Sequence, residues 1–157
     1  EELGRPAHPR QGRAGCSMNP EFHTETHRVA RKRHTCTECR GYVEPGDRYE
    51  YVTGLWEGDV STHKTCAHCE AARDFYVNDL SSTEIRDAEY GAYCYGEVCC
   101  DLEEAATEIP SGTGLKFRAY RHVVGMRRRG NAAREERNAA LVLACQQRDA
   151  ASMERAQ

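Results

Sequence analysis

The sequence is poor in apolar residues and has no long apolar run. Of its 157 residues, 39% are hydrophobic and 8% are aromatic, and the mean hydropathy is −0.81. No stretch approaches the roughly 20 apolar residues that a membrane-spanning helix needs, and the first residues lack the apolar core of a secretion signal. We therefore expect a soluble cytoplasmic protein, organised as a small domain with appendages.

Catalytic motifs are also missing. The only short glycine pair, in Gly112-Thr113-Gly114, is too brief to bind phosphate and instead predicts the end of a helix. The acidic residues between positions 84 and 108 are dense, which is typical of a solvated face rather than of an acid/base pair. A zinc-dependent enzyme or nuclease would need a His/Asp constellation that the sequence does not show, so we predict that the protein is not an enzyme.

Nine cysteines are the most informative feature. Four of them form two Cys-x-x-Cys pairs, Cys36/Cys39 and Cys66/Cys69, with 26 residues between the pairs. This spacing is typical of zinc ligands, because the turn within a pair brings two sulfur atoms to one side, whereas disulfide frameworks scatter an even number of cysteines. Two pairs complete a tetrahedron of thiolates and leave no position for a catalytic water. We predict one structural Zn²⁺ ion held by Cys36, Cys39, Cys66 and Cys69.

The remaining cysteines predict no second metal site. Cys94, Cys99 and Cys100 follow a C-x₄-C-C spacing that no common zinc motif uses. Adjacent helical residues point about 100° apart and rarely bind one ion together. We interpret these three as small buried residues on a helix face, and Cys16 and Cys145 as isolated.

The elements between the two pairs predict an α+β fold. Residues 48–53 and 60–62 are rich in strand formers and flank glycines, which indicates a two-stranded hairpin. From Lys64 onward the pattern is helical, so the second pair falls in the first turn of a helix. The order of knuckle, β-hairpin and helix is that of a treble-clef zinc finger, and thiolates at a helix start are stabilised by its dipole.

The rest of the chain, before and after the cysteine pairs, divides by composition and charge. Residues 1–33 are rich in Gly, Pro and Arg and predict a disordered basic segment, while 34–109 is the predicted zinc-binding domain with its following helices. Residues 36–114 carry seventeen acidic and five basic residues, and residues 115–157 carry four acidic and ten basic ones. The segment 115–156 is predicted as a basic C-terminal part, with one helix over 115–126 and another after Arg127-Arg128-Arg129-Gly130. Residues 81–84 predict a helix start, and the apolar stripe between 95 and 109 predicts a helix.

His63 leaves the ligand set open. With His63 in place of a cysteine, the pattern becomes C-x-x-C…H-x-x-C, which resembles the first zinc module of LIM domains and the finger of poly(ADP-ribose) polymerases. A LIM domain would continue with another ligand pair, and position 72 is Ala. We favour four cysteines, with His63 as the alternate ligand, because thiolate outcompetes imidazole for zinc where both can reach the ion.

A longer run of residues carries a second resemblance. Besides the two cysteine pairs, it contains Pro45-Gly46-Asp47-Arg48-Tyr49-Glu50-Tyr51-Val52-Thr53-Gly54-Leu55-Trp56-Glu57-Gly58, then Lys64-Thr65, Tyr95-Gly96 and Asp101-Leu102-Glu103. Over roughly residues 34–104 it resembles small zinc-binding proteins of bacteriophages and prophages. The resemblance implies a bacterial host cytoplasm and brings no activity with it.

Two classes of function follow from these features. The first is a structural-zinc interaction module that binds a host protein or complex and can inhibit it, with aromatic residues as anchors. The second is nucleic-acid binding through the C-terminal arginines, which can neutralise phosphates. The candidate residues for the second class are Arg118, Arg121, Arg127, Arg128 and Arg129.

Overall fold

A small antiparallel sheet and a long C-terminal helix dominate the computed structural model, which describes residues 22–56, 58–80 and 94–155. This arrangement confirms the predicted α+β class. The described strands are β1 (Phe22–Val29), β2 (His34–Thr35), β3 (Tyr42–Val43), β4 (Arg48–Trp56) and β5 (Asp59–Cys66). The described helices are α1 (Ala67–Asp74), which continues into a π-helical turn (Phe75–Asp79), α2 (Val98–Glu108) and α3 (Gly114–Arg155).

Strands β4 and β5 form the predicted hairpin, and it is longer than the sequence indicated. Their register runs from Tyr49 opposite Cys66 to Trp56 opposite Asp59. Gly58 occupies the turn with a φ of 83°, a left-handed conformation that favours glycine. Strand β5 continues through Cys66, so α1 begins at residue 67 rather than at Lys64.

Strand β1 was not expected from the sequence. It pairs antiparallel with β4 along its whole length, which gives a three-stranded sheet of order β1-β4-β5. Most of its side chains are exposed, and its residues show no alternation of apolar and polar positions. Main-chain pairing with β4 therefore holds the strand in place. The disorder predicted for residues 1–33 therefore does not extend to Phe22–Val29, and residues 1–21 lie outside the described part of the chain.

Helix α2 confirms the apolar stripe of the sequence. Val98, Leu102 and Ala106 on this helix are fully buried, and Ile109 is buried directly after it. They pack mainly against α3. The helix start predicted at 81–84 lies outside the described residues.

Helix α3 is one continuous helix of 42 residues, about 63 Å long at 1.5 Å per residue. The separation predicted at Arg127-Arg128-Arg129-Gly130 is wrong. A single glycine costs a helix only about 1 kcal/mol, and Gly130 lies where α3 approaches the carbonyl oxygen of Cys39 so closely that a Cβ atom would clash with it. The absence of a side chain at this position permits helix packing.

One hydrophobic core joins the cysteine-containing region to the C-terminal helix. Cys36, Cys39 and Cys69 lie in the same buried cluster as Val123 and Met126 of α3. The first part of α3 therefore packs as part of the domain that the sequence placed at 34–109. Among the described residues, no helix combines the length and the apolar character needed to cross a membrane.

Candidate metal centre

The first cysteine pair lies in a tight turn between β2 and β3. The N–H of Cys36 donates to the carbonyl of Gly41 at 2.8 Å, and the N–H of Arg40 donates to the carbonyl of Cys36 at 3.1 Å. Arg40 has a φ of 60°, which reverses the chain directly after Cys39. The N–H of Gly41 points at the sulfur of Cys39 at 3.4 Å. This is the geometry of a knuckle, in which main-chain N–H groups are available to thiolates.

The second pair lies where β5 meets α1. Cys66 is the last residue of β5 and the N-cap of α1, with an extended backbone (φ −69°, ψ 154°). Cys69 lies in the first helical turn and is buried. The positive end of the helix dipole therefore faces both sulfur atoms and favours their thiolate forms.

Two hydrogen bonds between Thr37 and Lys64 bring the pairs together. The N–H of Thr37 donates to the carbonyl of Lys64 at 2.8 Å, and the N–H of Lys64 donates to the hydroxyl of Thr37 at 3.1 Å. The N–H of Cys66 also points at the sulfur of Cys36 at 3.4 Å. The knuckle is thus bound to the end of the hairpin, and the four sulfur atoms converge.

The four sulfur atoms lie within 4.8 Å of one another. Thiolates about 2.3 Å from a tetrahedral ion are separated by about 3.8 Å, so the cluster has the dimensions of such a site. Cys36, Cys39 and Cys69 are buried and Cys66 is half-buried. Hydrogen bonds within the group lower the pKa of Cys36 well below its ordinary value and raise the pKa of Cys39 and of Cys69, so the four thiols compete for the same protons. These four side chains can hold a metal ion.

His63, the alternate ligand, is not part of this group. It lies three positions before Cys66 on β5, and side chains at odd separations point to opposite faces of a strand. Its ring stacks on Tyr95, with centroids 4.1 Å apart, and meets the ring of Trp56 edge-on at 5.3 Å. The structure therefore places His63 in an aromatic cluster.

The other described cysteines form no second group of metal ligands within residues 22–56, 58–80 and 94–155. Cys94 is buried, Cys99 is half-buried, and Cys100 is exposed. Burial raises the pKa of the Cys99 thiol. Cys145 is exposed on the distal half of α3.

Helix α3 packs directly on the cysteine centre through glycines. Besides the contact of Gly130 with Cys39, a Cβ atom on Gly41 would lie 2.9 Å from the Cβ of Arg129. A Cβ atom on Gly125 would lie 2.5 Å from the ring of His68, the residue before Cys69. The position of α3 therefore depends on the geometry around the four cysteines, a role of these glycines that the sequence pattern did not reveal.

Helix α2 is tied to the knuckle by Glu38, which lies between the first two cysteines. The N–H of Val98, in the first turn of α2, donates to the carboxylate of Glu38 at 3.3 Å. Glu38 is 5% exposed, and its burial raises its pKa to about 7. The knuckle thus contacts the start of α2 through Glu38 and the middle of α3 through Cys39.

Two of the five candidate arginines are engaged within the chain. Arg118 pairs with Asp79 and lies over the ring of Phe75, and Arg127 pairs with Glu103. The other three, Arg121, Arg128 and Arg129, are exposed and form no ion pair within the described residues. Arg129 donates to a carbonyl of its own helix at 3.4 Å.

Comparison with protein-family models, with curated proteins and with solved structures finds no match to this chain. The inference of function therefore depends on the site and its surroundings.

Proposed function

We propose that the protein is a structural-zinc interaction module that presents the distal half of α3 to a protein partner. The metal is Zn²⁺, because four thiolates are the ligand set that zinc prefers for closed tetrahedral sites. Such a site leaves no coordination position for substrate. Its effect is to hold the knuckle, the hairpin and two helices in one arrangement, which is useful to a binding protein.

The type of finger we propose is a treble clef. Its support is the order of elements around the sulfur atoms: a knuckle with Cys36 and Cys39, the β4–β5 hairpin, and a helix whose N-cap and first turn supply Cys66 and Cys69. The bacteriophage setting stays a proposal that the resemblance of residues 34–104 supports.

The observation that carries the proposed function is the exposure of apolar residues beyond Arg137. Within the described part of the chain, the last polar contact of α3 with the domain comes from the guanidinium of Arg137, which donates to the carbonyl of Arg40 at 3.3 Å. Residues 138–150 are all exposed. The large apolar side chains between Arg137 and the end of α3 at Arg155, with their exposed fractions, are Leu141 (65%), Val142 (57%), Leu143 (56%) and Met153 (69%).

Most helical stability in proteins comes from tertiary packing, so contacts with a partner would stabilise this exposed end of α3. Fully burying one Leu or Val side chain contributes about 1.5–3 kcal/mol. The segment 138–155 carries two basic and two acidic residues, a net charge of zero. Its chemistry therefore fits an apolar groove or helix surface of another protein better than a phosphate backbone.

The test is a comparison of two variants in affinity capture from bacterial lysate. The double variant Leu141→Gln/Leu143→Gln removes two of the four large exposed apolar side chains, and Val60→Gln is the matched control, since Val60 is 74% exposed on the hairpin. We expect wild type and control to retain the same protein and the double variant to lose it, with unchanged zinc content. Equal retention by all three would refute the proposal. Concentration-dependent dimerisation that only the double variant loses would place a second copy on the segment and contradict the host-protein form.

A second candidate is nucleic-acid binding, which the outer face of the first half of α3 supports. Phe117 and Tyr120 are 70% and 40% exposed beside Arg121, and aromatic rings with arginine form stacking surfaces for single strands. For a single strand, contacts from Arg121, Arg128 and Arg129 alone predict a salt slope of about −2.1, whereas five contacts would give about −3.5. A fluorescence titration with a single-stranded oligonucleotide at several salt concentrations distinguishes these values. Absence of binding at low salt excludes the candidate.

A further inference from the structure

Three metal-ligating side chains meet on the sheet, away from the four cysteines. Glu25 and His27 lie on one face of β1, two residues apart, and Glu50 lies directly opposite His27 on β4. Each offers one ligand atom, and these three atoms lie within 4.8 Å of one another. Glu25 and His27 are exposed and Glu50 is buried, so the group is open to solvent on one side.

His27 is held by a carboxylate in the way that metal-binding histidines are. Its Nε2 lies 2.7 Å from Oε1 of Glu70, on the first turn of α1. Metal-ligating histidines almost always donate one ring N–H to a carboxylate or carbonyl, and this contact orients the ring and strengthens the other nitrogen as a ligand. Glu70 can therefore orient the ring of His27 for a metal ion.

Glu50 is also fixed by a second group. Arg73 of α1 donates two hydrogen bonds to its carboxylate, one of them 2.6 Å long between Nη1 and Oε2. Each carboxylate oxygen has a further lone pair, so Glu50 can accept from Arg73 and still bind a cation. The two supporting side chains, half-buried Glu70 and buried Arg73, thus come from the same helix.

The charges around the group favour a cation. Three carboxylates, Glu25, Glu50 and Glu70, face one guanidinium, Arg73, which leaves a net negative charge when His27 is neutral. Burial and the nearby charge of Glu50 raise the pKa of Glu25, because two carboxylates in contact repel each other unless a proton or a metal ion lies between them.

We propose that Glu25, His27 and Glu50 bind a divalent transition-metal ion, with water completing its coordination on the exposed side. Two oxygen ligands and one imidazole suit Mn²⁺, Fe²⁺, Co²⁺ or Zn²⁺ better than they suit a hydrated Mg²⁺ ion. Glu70 and Arg73 position the ligands. This site differs from the cysteine centre in ligand chemistry and does not depend on the proposed function.

The probe for the test is Mn²⁺, added to full-length protein that already contains one Zn²⁺ ion. Mn²⁺ prefers oxygen and imidazole and binds more weakly than zinc in the general affinity order, so it leaves the thiolate site undisturbed. The loss of the free Mn²⁺ signal in electron paramagnetic resonance gives the stoichiometry and Kd. We expect one saturable Mn²⁺ ion per chain.

Variants of exposed residues assign the ligands. Glu25→Gln and His27→Gln should each raise the Kd at least tenfold, and Glu70→Gln should raise it by about 10–100-fold as a loss of ligand support. Two controls match these changes: His23→Gln, an exposed histidine on the same strand, and Glu44→Gln, an exposed glutamate paired with Arg33. Both should bind Mn²⁺ as the wild type does.

Three results would overturn the site. They are the absence of stoichiometric Mn²⁺ binding, unchanged affinity in Glu25→Gln and His27→Gln, and an equal loss in Glu44→Gln, which would reveal a mere effect of net charge. Retained zinc and an unchanged circular dichroism spectrum show that each variant is folded. A chain that binds Mn²⁺ but lacks zinc at the cysteines would contradict the proposed function and leave this site standing.

Discussion

Replacing Arg73 by Met should destabilise the protein severely, because it leaves a buried carboxylate without its counter-charge. The side chains of Glu50 and Arg73 are 0% and 8% exposed, and they are joined by two hydrogen bonds. Removing one partner of such a pair costs about 3–5 kcal/mol. Since domains of this size are stable by about 5–15 kcal/mol, the loss is at least a fifth of the total.

The loss can be measured as a shift in melting temperature. For a chain of 157 residues, 1 kcal/mol corresponds to about 2–4 °C, so Arg73→Met should lower Tm by roughly 6–20 °C. Urea unfolding at pH 7, with one zinc ion per chain, gives the free energy directly. The matched control is Arg33→Met, which removes two ion pairs, with Glu44 and Glu136, between side chains that are 44–54% exposed, and it should cost at most about 1 kcal/mol per pair.

A double variant separates lost pairing from lost packing. Glu50→Leu combined with Arg73→Met replaces both charges by apolar groups, which is often neutral or stabilising for a buried pair. We expect the double variant to be more stable than Arg73→Met alone. A loss below about 1 kcal/mol in the single variant, or a double variant as unstable as the sum of the two single variants, would refute the reasoning.

Three further predictions follow from the structure. Cys36→Ser should abolish stoichiometric zinc binding in native mass spectrometry and unfold the chain by circular dichroism, because a structural zinc contributes on the order of 10 kcal/mol; a folded, zinc-free variant would contradict this. Gly130→Ala should lower the free energy of unfolding in urea by about 1 kcal/mol, because overpacking against Cys39 outweighs the better helix propensity of Ala. The control Gly114→Ala should not lose stability, since nothing lies within 4 Å of its Cβ position. Burial by itself raises the pKa of Glu50, but Arg73 outweighs burial and keeps this pKa below the ordinary 4.5. The pair therefore stabilises the fold above pH 4.5, and this stabilisation is lost as the pH falls through the lower pKa of the folded state. The stability difference between wild type and Glu50→Gln, measured by urea unfolding, should accordingly shrink below pH 4.5.

Local patterns predicted the elements that local chemistry specifies. The hairpin follows from strand formers around Gly58, the buried face of α2 follows from apolar spacing, and the convergence of the cysteine pairs follows from their spacing. Each of these signals lies within a few residues, or in a ligand motif whose geometry is the same in many proteins.

Strand β1 and the group formed by Glu25, His27 and Glu50 were not predicted, and the reason is the same for both. Its residues His23-Thr24-Glu25-Thr26-His27 are polar on both faces, so no period of apolar residues marks the strand, and only pairing with β4 orders it. The meeting of Glu25 and His27 with Glu50 depends on that register. A segment assigned to disorder offers no contacts from which a site can be inferred.

The amino-acid sequence by itself predicted the four cysteines that cluster, the hairpin between them and the helical character of the C-terminal part, since cysteine spacing and residue periodicity act over short distances. Only the tertiary structure decided that α3 is unbroken at Gly130, that His63 stacks on Tyr95 apart from the sulfur atoms, and that Glu50 is paired with Arg73. These outcomes depend on close contacts between residues far apart in the chain. Such contacts form only when the elements pack, and no local pattern encodes them.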